Sequence, residues 1–192
     1  FQGTTKDQLQ RLLRILSDDA ARMTQGRYAL ADSEPEFAAT PARLTITFGF
    51  GPDLVAIARG PEGVPSWLAP LPAFSIDRLE PRWNGGDLLL QVASDDPTTV
   101  AHVTRMLLKD TRSFAGVNWF QHGFRSAHGS QPEGTTARNL LGQVDGTVNP
   151  VPGSADFDRV VWRDDTTGPA DEDWLVGGTT MVVRRIEMLL DK

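Results

Sequence analysis

Apolar residues at Leu9, Leu12, Leu13, Leu16, Ala20 and Met23 recur every three or four positions, the spacing of a helix with one buried face. Thr5 and Gln8 are placed to form a capping box at its start, and Gly26 can end it. The period then changes. In RLTITFGF, Leu44, Ile46, Phe48 and Phe50 alternate with Arg43, Thr45, Thr47 and Gly49, which predicts a strand with one apolar face. A second strand is expected in DLLLQVAS (87–94). A second helix follows it, with Asp96 as cap, Pro97 in the first helical position, and Val100, Val103 and Leu107 on one side.

Residues 60–86 carry too many prolines and glycines for a regular element and read as a long loop with short helical turns. VNWFQHGFRS (117–126) reads as a returning strand, residues 127–158 as loop, and RVVW and TTMVVRRIEMLL as further strands. In the last of these Arg184 shares a face with Val182, Ile186, Met188 and Leu190, while Arg185 and Glu187 lie on the other. A guanidinium on an apolar face either reaches solvent along its stem or meets a carboxylate.

The order helix, strand, strand, helix, strand is that of a ferredoxin-like βαββαβ unit whose first strand is missing. The expected class is α+β. The expected domains are a ferredoxin-like domain over 1–128, a loop over 129–158, and the first strands of a second ferredoxin-like unit over 159–192.

At 192 residues the chain can hold one domain, or one and a substantial part of another. No apolar run approaches the roughly 20 residues that span a bilayer. A net charge of -6 and a pI of about 5.0 argue against nucleic acid as a partner, because phosphate contacts need clustered Lys and Arg. Without cysteine there is no disulfide or thiolate chemistry, and the three histidines, His102, His122 and His128, lack metal-site spacing. The opening FQGTT has neither Met nor a signal-like segment, so we expect a piece of a longer protein, which also fits the missing first strand.

The chemistry centres on NLLGQVDGTVNP (139–150), in which Asp145 is the ionisable residue. One reading is a tight Asp-Gly turn. The other is an acid-base group, with Gly142 and Gly146 allowing a ligand close to the backbone. The histidines read as structural: His122 shares a face with Phe120 and Phe124, His102 sits on a helix beside Val103, and His128 lies in a polar loop. No GxSxG elbow supports a serine triad. The tryptophans Trp67, Trp83, Trp119, Trp162 and Trp174 serve as core or loop anchors or as oxidisable relays.

RNLLGQVDGTVNP resembles the GxxDG signature of the dye-decolorizing peroxidases, carried here by Gly142, Gln143, Val144, Asp145 and Gly146, with Arg138, Asn139 and Leu140 also in the family's pattern. LTITFGFGPDL, WLAPLPAF, GGDLLLQVASDDP, VNWFQHGF, RVVW and WLVGGTTMVVRRI extend the resemblance in order over nearly the whole chain.

The resemblance implies two ferredoxin-like halves of the dimeric α+β barrel superfamily, one haem b per intact chain, and oxidation of bulky dyes and phenolic compounds by hydrogen peroxide. It implies that Asp145 is the distal acid-base residue and that Gly146, Thr147 and Val148 line the haem. A carboxylate in the place of a histidine base shifts the expected optimum to acidic pH.

The family's axial histidine and distal arginine follow the motif, whereas all three histidines here precede Asp145, so no residue of this chain is expected to ligate the iron. The chain is therefore expected to match the N-terminal half and the opening of the second, and to be inactive alone. The expected partners are peroxide and small reductants, with electrons passing through Trp or Tyr28, and a homo-oligomer or a complementing C-terminal fragment. Export by a twin-arginine route is expected from the resemblance. The competing reading is a non-catalytic ferredoxin-like binding or assembly module.

Overall fold

A computed structural model describes residues 1–123, 126, 129–132, 134–139, 141–164 and 170–189. The chain divides into two compact units, Phe1–His122 and Gly123–Lys192.

The first unit opens with α1 (Lys6–Met23), and its start is the expected capping box: Thr5 accepts from the Gln8 backbone while the Gln8 side chain accepts from the Thr5 backbone. Gly26 follows its end with a φ of 73°, a left-handed conformation that costs glycine little. Strand β1 (Thr45–Phe50) pairs antiparallel with β2 (Leu88–Ala93) in a register that sets Ile46 opposite Val92 and Phe48 opposite Leu90. Because strand side chains alternate, Ile46, Phe48, Leu88, Leu90 and Val92 all pack on the core, while Thr45, Thr47 and Gln91 face away, exposed. Phe50, at the strand end, is largely outside that core.

Helix α3 (Pro97–Thr111) begins as the sequence predicts, with Asp96 accepting from the backbone of Thr98 and Thr99. The Thr99 backbone bond is the main reason its carboxyl sits below its ordinary range. Leu12, Leu16 and Met23 from α1 meet Val103, Met106 and Leu107 from α3 in a core that excludes water.

Four segments depart from the expected order of elements. Residues 52–59 form a further helix, α2 (Pro52–Arg59), started by Gly51 and Pro52 at the first helical turn. Segment 117–123 makes no ladder; the Asn118 amide and Trp119 indole instead donate to the carbonyls of Asn84 and Gly85, at 2.9 and 2.7 Å. Among the described residues the sheet is therefore two-stranded, and the final strand of a βαββαβ unit is not formed. RVVW lies mostly within a short helix, α4 (Ala155–Val161), because Ser154 caps the Phe157 amide at 3.1 Å and Asp156 and Asp158 favour the first turn.

The long segment 60–86 is loop with single helical turns at Pro61–Gly63 and Pro81–Trp83, as expected. Residues 179–189 form no strand, since an extended run needs a partner ladder and none of the described residues supplies one; Arg184 is consequently exposed rather than held on an apolar face. No helix among the described residues is long and apolar enough to cross a membrane.

Two substitutions test this frame. Leu16→Ala, at a fully buried site, is expected to lower stability by about 3 kcal/mol in urea titration. Asp96→Ala is expected to cost about 1 kcal/mol near neutral pH. Because the folded state holds this carboxyl's pKa down, its contribution is present above the ordinary carboxylate range and disappears as pH falls through the depressed value, so wild type and variant converge in acid.

Candidate functional site

The motif around Asp145 is built by local hydrogen bonds. Arg138 and Val144 face each other in an antiparallel bridge, and the chain reverses between them. Asn139 organises the reversal: its side-chain oxygen accepts from the amides of Leu141 and Gln143 at 3.0 and 3.1 Å, and its own amide donates to the Gln143 carbonyl at 2.8 Å. The Arg138 guanidinium donates to the Gly142 carbonyl at 2.7 Å. Gly142 has a φ of 83° and Gly146 one of 87°, conformations that other residues adopt only at a cost.

Asp145 sits between these glycines at the exit of the reversal. Its amide donates to the Ala137 carbonyl at 3.0 Å, which fixes the backbone, while its side chain is exposed and has no partner among the described residues. Gly146, Thr147 and Val148 follow in a turn closed by the Asn149 amide on the Gly146 carbonyl, and all three are exposed, Val148 at 92 %. Val144, Val148 and Val151, near Asp145 in the sequence, are exposed as well. An exposed carboxylate and backbone without side-chain cover at Gly142 leave this turn open to a ligand with which Asp145 could exchange a proton. Leu140, named with the motif, lies outside the described residues.

The histidines fall elsewhere. His102 is buried, with Nε2 2.9 Å from an Asp32 carboxylate oxygen and Nδ1 3.2 Å from the Arg105 guanidinium, which is also ion-paired with Glu34. A neutral ring with its proton on Nε2 donates to Asp32 and accepts from Arg105, so both nitrogens are engaged. Asp32, Glu34 and His102 bring potential metal ligands within 4.8 Å of one another, but the Arg105 guanidinium supplies the positive charge of that cluster. Sequence spacing could not have found it, because His102 and Asp32 lie 70 residues apart. His122 is exposed and packs edge-on against Phe120, with ring centroids 4.4 Å apart. His128 and Phe124 lie outside the described residues.

Residues 1–125 match the family model described as Dyp-type peroxidase, N-terminal, and residues 136–192, which include Asp145, match that described as Dyp-type peroxidase, C-terminal. Over 97 % of its length the chain is 36 % identical to a dye-decolorizing peroxidase of Thermobifida fusca, covering 44 % of that protein. It is 32 % identical to a deferrochelatase of Escherichia coli over 98 % of its length, covering 47 % of that protein.

The crystal structure of a DyP-type peroxidase from Cellulomonas bogoriensis superimposes on 92 % of the chain with a TM-score of 0.82 and 47 % identity, the match covering 48 % of that structure. An oxyferrous complex of DtpA from Streptomyces lividans matches 91 % of the chain with a TM-score of 0.79 and 37 % identity, over 46 % of that structure. The chain spans about half the length of the curated relatives it matches.

Asn139→Ala is expected to release the Leu141 and Gln143 amides, raising their hydrogen exchange rates while those of the α1 core stay unchanged. Unchanged exchange at both amides would mean that Asn139 does not hold the reversal.

Proposed function

The chain belongs to the Dyp-type peroxidase family, and from that premise we propose that it forms part of a haem peroxidase in which Asp145 is the distal acid-base residue. The observation that carries this reading is the presentation of Asp145: its backbone is fixed by Ala137 and the Asn139 turn, and its carboxylate is exposed between two left-handed glycines. Gly146, Thr147 and Val148 would lie against the haem, with the exposed Val148 side chain offering apolar surface to its ring. When bound, haem supplies the redox-active iron, whose behaviour the protein tunes through ligation and surrounding polarity.

The chain's own contribution is a proton relay. Hydrogen peroxide must lose a proton from one oxygen and gain one on the oxygen that leaves as water. An Asp145 carboxylate oxygen can accept the first and return it to the second. Neither His102 nor His122 is offered as the iron ligand: the first is buried with both ring nitrogens occupied, and the second packs on Phe120. The family resemblance places the iron ligand after the motif, whereas His102, His122 and His128 all precede Asp145, so the ligand is proposed to come from outside these residues and the chain alone is expected to be inactive. Trp67, Trp162 and Trp174 are 39 to 46 % exposed and Tyr28 is 57 % exposed, which suits electron transfer from dyes and phenols too large to enter a cavity.

In the intact protein loaded with haem, Asp145→Asn is expected to slow peroxide-driven dye oxidation by about 10²- to 10⁴-fold with haem content and Soret absorbance unchanged. An unaltered rate would remove Asp145 from the mechanism. Absence of both haem uptake and dye oxidation in the intact wild type would return the chain to the class of non-catalytic ferredoxin-like modules.

A further inference from the structure

Just before β2 the chain turns through Asn84, Gly85 and Gly86, and the two glycines have φ angles of 70° and 122°, in the left-handed region that glycine enters at little cost. All three residues are exposed, and nothing lies within 4 Å of where a side chain on Gly85 would begin. Neither the Asn84 side chain nor the Gly85 amide has a hydrogen-bond partner among the described residues. The turn is held from outside: the Asn118 amide donates to the Asn84 carbonyl at 2.9 Å, and the Trp119 indole to the Gly85 carbonyl at 2.7 Å. These bonds restrain the peptides on either side of Gly85.

An asparagine followed by glycine carries an electrophile and a nucleophile in one dipeptide. The Gly85 nitrogen, deprotonated by solvent base, can attack Asn84 Cγ; the N–Cγ bond forms, the Cγ–Nδ2 bond breaks, and Nδ2 leaves as ammonia with a proton drawn from water. Water then opens the succinimide. Cleavage at Cγ leaves aspartate, whereas cleavage at the main-chain carbonyl leaves isoaspartate, with the backbone rerouted through Cβ and Cγ. Both products carry a new carboxylate, and nothing is oxidised or reduced. Glycine at 85 matters because a side chain there would crowd the attacking nitrogen. The other asparagines lack this arrangement: Asn118 precedes Trp119, Asn139 precedes Leu140, and Asn149 precedes Pro150, which has no N–H.

We propose that Asn84 is a site of spontaneous deamidation, and that the Asn118 and Trp119 side chains set its rate. With a ψ of 157° Asn84 is extended, so the Asn84–Gly85 peptide must turn before its nitrogen reaches Cγ. Open space at Gly85 allows the turn, and the two side-chain bonds oppose it. The carbonyl that Asn118 holds belongs to the same planar peptide as the attacking nitrogen, so this bond must break as the peptide rotates. Isoaspartate makes the loss permanent, because its extra backbone methylene displaces the carbonyls that anchor Asn118 and Trp119.

The test follows the intact protein through incubation in mildly alkaline buffer, with peptide mapping by mass spectrometry to locate each Asn-to-Asp mass gain and isoaspartate methyltransferase labelling to identify the rearranged product. Conversion is expected at Asn84 ahead of Asn118, Asn139 and Asn149, and more slowly in the folded protein than in urea. Asn118→Ala and Trp119→Phe each remove one anchor and are expected to raise the Asn84 rate several-fold in the folded protein, with no change in urea. Leu16→Ala, which weakens the core and leaves both anchors in place, is expected to keep the wild-type rate. The proposal is overturned if Asn84 stays intact in the folded wild type while converting in urea, or if another asparagine converts as fast. A folded anchor variant with the wild-type rate overturns it too, as does an equal rise in Leu16→Ala. If one anchor variant does not fold, the other decides alone.

Discussion

The contact between α1 and α3 over one face of the β1–β2 ribbon is the constraint on which residues 1–122 depend. A two-stranded ribbon has no independent stability in water, and a single helix of 18 residues is marginal. Together they exclude water from Leu12, Leu16, Met23, Val103 and Leu107, and that burial holds the local structure in place. Charged contacts act on top of it: they choose where the α1–β1 connection lies and leave the core to apolar side chains.

Residues 123–192 follow a different principle. Their described structure rests on short-range hydrogen bonds: the Asn139 reversal, the Ser154 cap, and the paired backbone bonds between Arg163 and residues 177–178. Ala137 is the buried apolar side chain among the described residues of this unit, whereas Val148, Val182 and Ile186 face solvent. Such bonds can define the shape of a turn without a core beneath it. They do not define what the turn faces, and for Asp145 that part is the proposal made above.

How far the sequence could be read follows the same division. Helix α1 was legible because a capping box, a six-residue apolar spacing and a glycine stop all agree, and the two strands because their period of two is unbroken. RVVW misled because two valines and a tryptophan after an arginine say little about backbone state, while the deciding residue, Ser154, precedes the run by five positions. Helix α2 was passed over because its apolar residues are framed by Pro and Gly, which also start helices. The Asp32–His102 contact joins residues far apart in the chain, and no local pattern announces it. Asp145 was legible as a turn from its glycines, and is proposed as a site only through its motif; its exposure and the anchoring role of Asn139 required coordinates.

The antiparallel register, Thr45 opposite Ala93 through Phe50 opposite Leu88, also governs where the chain can change length. One residue inserted within β1 would rotate Ile46 and Phe48 out of the core and turn Thr45 and Thr47 into it, while the same insertion in β2 would do the equivalent to Leu90 and Val92. The connection between the strands carries no such constraint over residues 60–86, where loop closure becomes only slowly less favourable with length. Variation in length among proteins sharing this frame should therefore gather in that connection, leaving each strand at fixed size.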